Sequence, residues 1–232
     1  MLEINNYSNF ILKSISFSLQ ENENLIILGA NGAGKSTLAK VLSNLIASDK
    51  VTFSKENIDI ISYEKRAQLI NYIPPKLEVF DEYISVYEFL ELSFINSIDR
   101  KKIDKVITLL KLEKIKNRAC NNLSSGEKQL LLLASSIIHN AKITIFDELT
   151  ANMDITRVQE AFGIFNSQHL QQKVIITHNL DLAFHLGYKI LYMEEGEVKF
   201  FGTSKEFFSK NILEKFYQNC LKVVDGHLVV NL

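Results

Sequence analysis

The run Gly29-Ala30-Asn31-Gly32-Ala33-Gly34-Lys35-Ser36-Thr37 fits G-x-x-x-x-G-K-[ST] at every required position and directly follows the apolar run Leu25-Ile26-Ile27-Leu28. No other stretch restricts the fold as tightly. A strand must deliver the chain to a sheet edge, glycines must let the backbone turn with its N–H groups inward, and a helix must begin on the far side. Leu38, Val41, Leu42 and Leu45 recur on one helical face, so the spacing predicts a helix to about Ala47. Such a loop cradles phosphates: Lys35 would reach the β and γ phosphates of a nucleotide, and Ser36 would hold Mg²⁺. The helix N-terminus adds partial positive charge at the same place. A glycine turn ahead of an ordinary helix does not account for the full pattern in this strand-to-helix context.

The 232 residues suffice for one large domain or for a domain carrying an insertion. With 26 basic and 27 acidic residues the formal net charge is -1, which gives no case for a nucleic-acid surface. The longest apolar stretch, Leu130 to Ile138 with two serines inside it, falls far short of the roughly 18 residues of a membrane-spanning helix. The segment Met1-Leu2-Glu3-Ile4-Asn5 lacks the basic and apolar regions of a secretion signal, and a cytoplasmic location is expected. Cys120 and Cys220 have no C-x-x-C spacing and no histidine at ligand distance in sequence, so both read as reduced structural thiols.

Along the chain, Ile11 to Leu19 reads as a half-buried strand, alternating from Ile15 onward, and Leu25 to Leu28 as the next. Val51–Phe53 and Ile58–Ile61 are expected as short strands. Arg66 to Ile73 is expected to pass from a turn of helix into a strand that stops at Pro74-Pro75, the only prolines. Between that break and Asn122 the pattern turns helical, with Val86, Phe89, Leu90 and Phe94 in one set and Ile103, Val106, Ile107, Leu110 and Leu112 in another. The charges of this insertion are segregated. Glu78, Asp81, Glu82, Glu88 and Glu91 precede Arg100, Lys101, Lys102, Lys105, Lys111, Lys114, Lys116 and Arg118. Strand and helix then alternate, which favours a parallel α/β sheet: a helix from Gly126 to His139, strand 143–146, a helix from Ile155 to about Gln168, strand 174–176 and a helix from Leu180 to Leu186. Tyr188 to Gly202 is expected to fold back around Glu195-Gly196. Val223 to Val230 carries a two-residue hairpin signal at Asp225-Gly226.

Strand 143–146 ends in Asp147-Glu148, two carboxylates at a sheet edge. Asp147 suits orientation of Mg²⁺, largely through water, and Glu148 suits polarisation of the water that attacks a γ-phosphate. Taken alone, solvated acids at a helix start would explain the pair equally well. Leu123-Ser124-Ser125-Gly126-Glu127-Lys128-Gln129 contains S-x-x-E ahead of an apolar helix, which a capping box explains without function.

These residues also resemble the LSGGQ signature of ATP-binding cassette (ABC) ATPases, with Ser125 in place of the first glycine. Asp147-Glu148-Leu149-Thr150-Ala151-Asn152-Met153-Asp154 resembles the Walker B and D-loop run, and Thr177-His178 resembles the switch histidine. The order and spacing of all four elements match, and the resemblance runs from the first strands to about Gly202. It implies a P-loop NTPase (RecA-like) α/β core with an N-terminal antiparallel β subdomain and an inserted α-helical subdomain: one ABC ATPase domain over 1–232, with 1–74 and 123–232 as core and 75–122 as the helical part. It implies ATP and Mg²⁺ as ligands. Two copies would dimerise head to tail, so that Ser124 and Gly126 contact the γ-phosphate held by the partner chain's loop. His178 would bond the γ-phosphate in cis, and Asp154 would lie at the dimer interface.

Four departures from the family pattern stand out. Pro75 occupies the place of the Q-loop glutamine and cannot donate, so coupling there must be altered or assigned to another residue. Leu149 replaces the usual proline, no arginine follows Gln129, and neither Tyr7 nor Phe10 aligns cleanly with the adenine-stacking aromatic.

A single cassette with a short helical insertion looks like the separate ATPase subunit of an importer. Arg66–Pro74, the S-S-G-E signature and the tail hairpin look most like ATPases for iron-siderophore, haem and cobalamin uptake. The implied partners are integral membrane permease subunits, docked on the acidic stretch Glu78–Glu91, and an upstream solute-binding protein. The chain would then lie peripherally on the inner face of the membrane. Alternatives are an export or lipid-handling ATPase, a soluble ABC switch protein of repair or translation, and a regulatory cassette with poor hydrolysis, motivated by Pro75 and Leu149.

Overall fold

The computed structural model describes residues 1–218, 220–224 and 227–230. In chain order, strands β1 (Leu2–Tyr7), β2 (Ile15–Leu19) and β3 (Leu25–Gly29) lead to helix α1 (Lys35–Leu42), followed by β4 (Val51–Phe53), β5 (Glu56–Asn57), α2 (Tyr63–Leu69) and β6 (Ile70–Ile73). Next come α3 (Val86–Glu91), α4 (Arg100–Leu109), α5 (Ser125–His139), β7 (Ile143–Asp147), α6 (Ile155–Asn166), β8 (Gln172–Ile176) and α7 (Leu180–Leu186). The last elements are β9 (Lys189–Glu194), β10 (Glu197–Gly202), α8 (Ser204–Phe207), α9 (Lys210–Tyr217), β11 (Leu221–Val224) and β12 (His227–Val230). The chain divides into two compact units, Met1–Asp59 with Val174–Leu232, and Ile60–Lys173.

In the first unit, β2-β1-β4-β5 form an antiparallel sheet and β10-β9-β3-β8 run side by side. Strand β3 is parallel to both neighbours, with Ile27 opposite Ile176 on one side and Leu191 on the other. Leu25, Ile26, Ile27 and Leu28 are fully buried, the near-continuous apolar run a parallel strand covered on both faces requires. In the second unit, β6 and β7 pair in parallel from Ile70↔Ile143 to Ile73↔Phe146. Helix α5 buries Leu130 to Ile138, and its end is held by His139 Nε2 against the Ala67 carbonyl (2.9 Å) and by Lys102 Nζ, which donates to the Ile138 carbonyl (2.8 Å). Among the described residues no helix is long and apolar enough to cross a membrane.

The α/β class, the antiparallel N-terminal sheet and the helical character of 86–110 agree with expectation; several boundaries do not. The expected strand at Ile58–Ile61 is absent. The chain instead turns at Ser54 and Lys55, both left-handed, so that β5 pairs with β4 and Ile58 donates to the Val51 carbonyl (3.1 Å). Helix α1 stops at Leu42, because Asn44 adopts φ 57° and Leu45 and Ile46 both turn back to the Lys40 carbonyl; Leu45 is exposed rather than part of the buried face. The strand expected from Ile11 begins only at Ile15. The unforeseen β1 is broken by an irregularity between Ile4 and Tyr7, with Asn6 at φ 47°, which masks its alternation. Helices α8 and α9 carried no recognised signal. Strands β11 and β12 pair as expected, with Val223 opposite Leu228; the turn at Asp225-Gly226 lies outside the described residues.

Candidate functional site

The phosphate loop belongs to the first unit and is shaped by what surrounds it. At Gly29, φ 148°, a Cβ would lie 2.3 Å from the Met193 carbonyl oxygen of β9, so only glycine fits. Gly34, φ 96°, caps α1 without a side-chain bond, and a Cβ there would meet Leu12 Cδ2 at 2.8 Å. Asn31 and Gly32 form the exposed crown, while Ala33 is buried and its carbonyl accepts from the Gly196 N–H (3.3 Å). Lys35 is only 5% exposed: its ammonium turns into the loop and donates to the carbonyls of Gly29 (2.9 Å) and Ala30 (3.0 Å). Ser36 is exposed and Thr37 half-buried on the first turn of α1. A buried cation and a helix N-terminus make a fitting cradle for phosphate, and the exposed Ser36 hydroxyl is the hard oxygen donor that Mg²⁺ prefers.

His178 leaves the sheet beside this loop. Its strand β8 pairs with β3 up to Ile176, and the Thr177 N–H continues the ladder to the Ile27 carbonyl (3.3 Å). The histidine is therefore delivered to the edge from which Gly29 departs, and it is exposed there. Asn179 accepts from the Leu182 N–H (2.9 Å) and starts α7. Of the two aromatics, Tyr7 is buried in β1, whereas Phe10 is 93% exposed on the segment whose following residues, Ile11 and Leu12, pack against Gly34.

In the second unit, Asp147 ends β7 and is 1% exposed. Tyr72 of β6, which the sequence reading missed, donates its hydroxyl to Asp147 Oδ2 at 2.8 Å. Burial pushes the Tyr72 hydroxyl pKa well above the ordinary phenol range, reinforced by the charge of Asp147 and the bond to it, so the tyrosine stays a donor. Glu148 has φ 52°, an uncommon conformation for a side-chain-bearing residue and the kind of strain that gathers at functional positions. Leu149 is buried, filling with apolar bulk the place where the family has proline.

The capping reading of Ser124 is correct as local structure: its side chain accepts from the Glu127 N–H (3.3 Å), and Glu127 accepts from the Ser124 N–H (2.7 Å). Gly126 is buried on the first turn of α5, where a Cβ would press on Arg157 at 3.0 Å. Asp154 caps α6, accepting from the Arg157 N–H (3.0 Å) and pairing with the Arg157 guanidinium (3.4 Å). Gln129, 2% exposed, donates to the Pro75 carbonyl at 2.7 Å. A glutamine side chain thus does reach the segment where the family places one, but from the helix, at the end of the signature run. Beside it lies a cavity of about 330 Å³ lined by Lys76, Leu77, Ser125, Lys128, Gln129 and Asn152.

The segment that follows Pro75 presents acids and aromatics together. Phe80 and Tyr83 are 93% and 87% exposed on either side of exposed Asp81 and Glu82. Two acids of the same charged stretch are used locally: Glu88 completes a capping box with Ser85, and Glu91 pairs with Arg100 at 3.0 Å.

The sequence profile of the ABC transporter family matches residues 12–151, more than half of the chain. The chain belongs to the ABC transporter family. An energy-coupling factor transporter ATP-binding protein of Fusobacterium nucleatum is 30% identical, the alignment covering 98% of this chain and 95% of that protein. A molybdate/tungstate import ATP-binding protein of Pyrococcus abyssi is 28% identical over 90% of this chain and 62% of its own, greater length. Among solved structures, an ABC ATPase from Clostridium perfringens described as part of the transporter complex cbiONQ superposes with a TM-score of 0.77 at 25% identity, covering 92% of both chains. The expected P-loop core is thus the observed one, and the chain is an ABC ATPase subunit of a transporter, an enzyme that binds and hydrolyses ATP.

Proposed function

We propose that this ABC ATPase drives import of iron-siderophore, haem or cobalamin-type metal chelates through integral membrane permease subunits fed by a solute-binding protein. In this reading it lies peripherally on the inner face of the membrane. The observation that carries the ATP chemistry is the Lys35 ammonium turned into its loop next to the strand that delivers His178. The importer class is supported by Arg66–Pro74, the S-S-G-E signature and the tail hairpin, and the docking assignment by the exposed Phe80-Asp81-Glu82-Tyr83 stretch. A basic, partly apolar helix end is the complement such a surface fits.

In this reading the loop 29–34 (Gly29, Asn31, Gly32, Ala33 and Gly34 among its residues), with Lys35, Ser36 and Thr37, holds the phosphates of ATP, and Phe10 stacks on the adenine. Mg²⁺ would be held by Ser36 and steadied through water by Asp147, and when bound it supplies charge neutralisation at the phosphates. Glu148 takes a proton from the attacking water as its oxygen bonds to the γ-phosphorus and the bond from that phosphorus to the β,γ-bridging oxygen breaks, leaving ADP and phosphate, and His178 donates to a γ-phosphate oxygen. Ser124 and Gly126 serve the ATP of a second copy of the chain, with Asp154 at the interface between copies. ATP-driven closure of that head-to-tail dimer moves the permease, and hydrolysis reopens it.

Affinity purification from detergent-solubilised membranes of the source cell, followed by mass spectrometry, tests the assignment. A polytopic permease recovered with a solute-binding lipoprotein, and lost on Asp81→Lys/Glu82→Lys, is the expected result. Recovery of exporter subunits, ribosomes or DNA-bound proteins overturns it.

A further inference from the structure

Away from the nucleotide machinery, Asp181 and His185 stand one turn apart on α7, and His227 opens β12. One donor atom from each lies within 4.8 Å of the other two, and all three residues are exposed. The i,i+4 pair alone is ordinary: His185 Nδ1 lies 3.4 Å from Asp181 Oδ1, as in many solvent-facing ion pairs. What that pairing does not explain is the third donor. His227 comes from a strand about forty residues away in sequence, and its ring lies 5.6 Å from that of His185 at an interplanar angle of 43°. His185 Nδ1 also donates to the Asp181 backbone carbonyl at 2.9 Å. Metal-binding imidazoles characteristically make this second bond, which fixes the tautomer and leaves the Nε2 lone pair for a cation.

We propose that Asp181, His185 and His227 bind one divalent transition-metal ion, with Zn²⁺ the best match. Two imidazoles and one carboxylate form a borderline-soft set suited to Zn²⁺, Ni²⁺ or Cu²⁺, whereas Mg²⁺ and Ca²⁺ favour all-oxygen sites. Three protein ligands and a water complete the tetrahedron that Zn²⁺ adopts, and all three side chains are exposed. Occupancy ties β12 to α7, the helix whose N-cap immediately follows His178, so the metal fastens the tail hairpin to an element that begins beside the nucleotide loop.

The test is titration of the full-length, tag-free chain with Zn²⁺ by calorimetry, in the absence of nucleotide, with thermal unfolding followed in parallel. One Zn²⁺ per chain is expected, together with a rise in the unfolding midpoint. Affinity should weaken by about tenfold or more in each of Asp181→Asn, His185→Gln and His227→Gln. Retained ATP binding in the variants shows that they are folded. His227→Gln decides the matter, because a simple Asp181–His185 ion pair makes it irrelevant. Zn²⁺ binding unchanged by His227→Gln, binding that disappears with Cys220→Ser instead, or no binding by the wild-type chain overturns the proposal.

Discussion

At the phosphate loop, Gly29 sits against the Met193 carbonyl and Lys35 is enclosed, donating to two backbone carbonyls, so a change at either position meets a neighbour at once. Between Pro74 and Ser85, by contrast, Phe80 and Tyr83 stand almost wholly in solvent and Asp81 spends one carboxylate oxygen on the nearby Tyr83 N–H (2.8 Å). The first region is built by internal necessity; the second has large apolar rings that the fold does not use.

Substitutions in the two regions should therefore differ in kind. The largest effect is expected from Glu148→Gln, which keeps shape but removes the base: steady-state ATP turnover should fall by roughly a hundred- to ten-thousand-fold while nucleotide binding persists. A wild-type rate no higher than that of the variant would instead mark a cassette that binds without hydrolysing. Next comes Gly29→Ala, where a Cβ on the Met193 carbonyl and an unsuitable φ should cost on the order of 3 kcal/mol, read from urea unfolding midpoints. Tyr72→Phe should cost about 1–2 kcal/mol by withdrawing a hydroxyl from the buried Asp147 carboxylate, and should lower turnover. In the other region, Phe80→Ser/Tyr83→Ser should leave stability within about 0.5 kcal/mol of wild type yet abolish permease co-purification. Equal destabilisation of the two regions would end the distinction.

The smallest effect concerns pH. Burial pushes the Cys120 thiol from 9.0 up to about 11, so the folded protein keeps this proton after the unfolded chain has lost it. The folded state binds more protons in that interval, and its stability falls as pH rises from 9 toward 11. Cys120→Ala should show a shallower alkaline decline in unfolding midpoint than the wild type.

The strand, loop and helix at 25–42, the strand ending in Asp147 and the helix from Ser125 were legible because each is announced in consecutive residues. Tyr72 was not, because its meaning depends on the register that sets β6 beside β7, and nothing local to Ile70–Ile73 reveals which strand lies next to it. Gln129 was hidden for the same reason: its partner Pro75 is a long way back in the sequence. Strand β1 escaped because the left-handed Asn6 breaks the alternation, and β5 because Ser54-Lys55 makes a left-handed turn without the Asn-Gly or Asp-Gly that usually announces one. The end of α1 could have been read from Ser43-Asn44, since asparagine is the common side-chain-bearing residue at a left-handed helix terminus.

The left-handed backbone of Glu148 has an evolutionary and practical corollary. A glutamate held at φ 52° costs about 1 kcal/mol that glycine would not, so the sequence sits uphill of its own stability optimum at its proposed proton acceptor. Glu148→Gly should make a tougher protein and an inert one. Any laboratory selection on heat resistance alone would then drift toward dead variants, and a library of this chain has to be screened for turnover and melting together if catalysis is to survive the search.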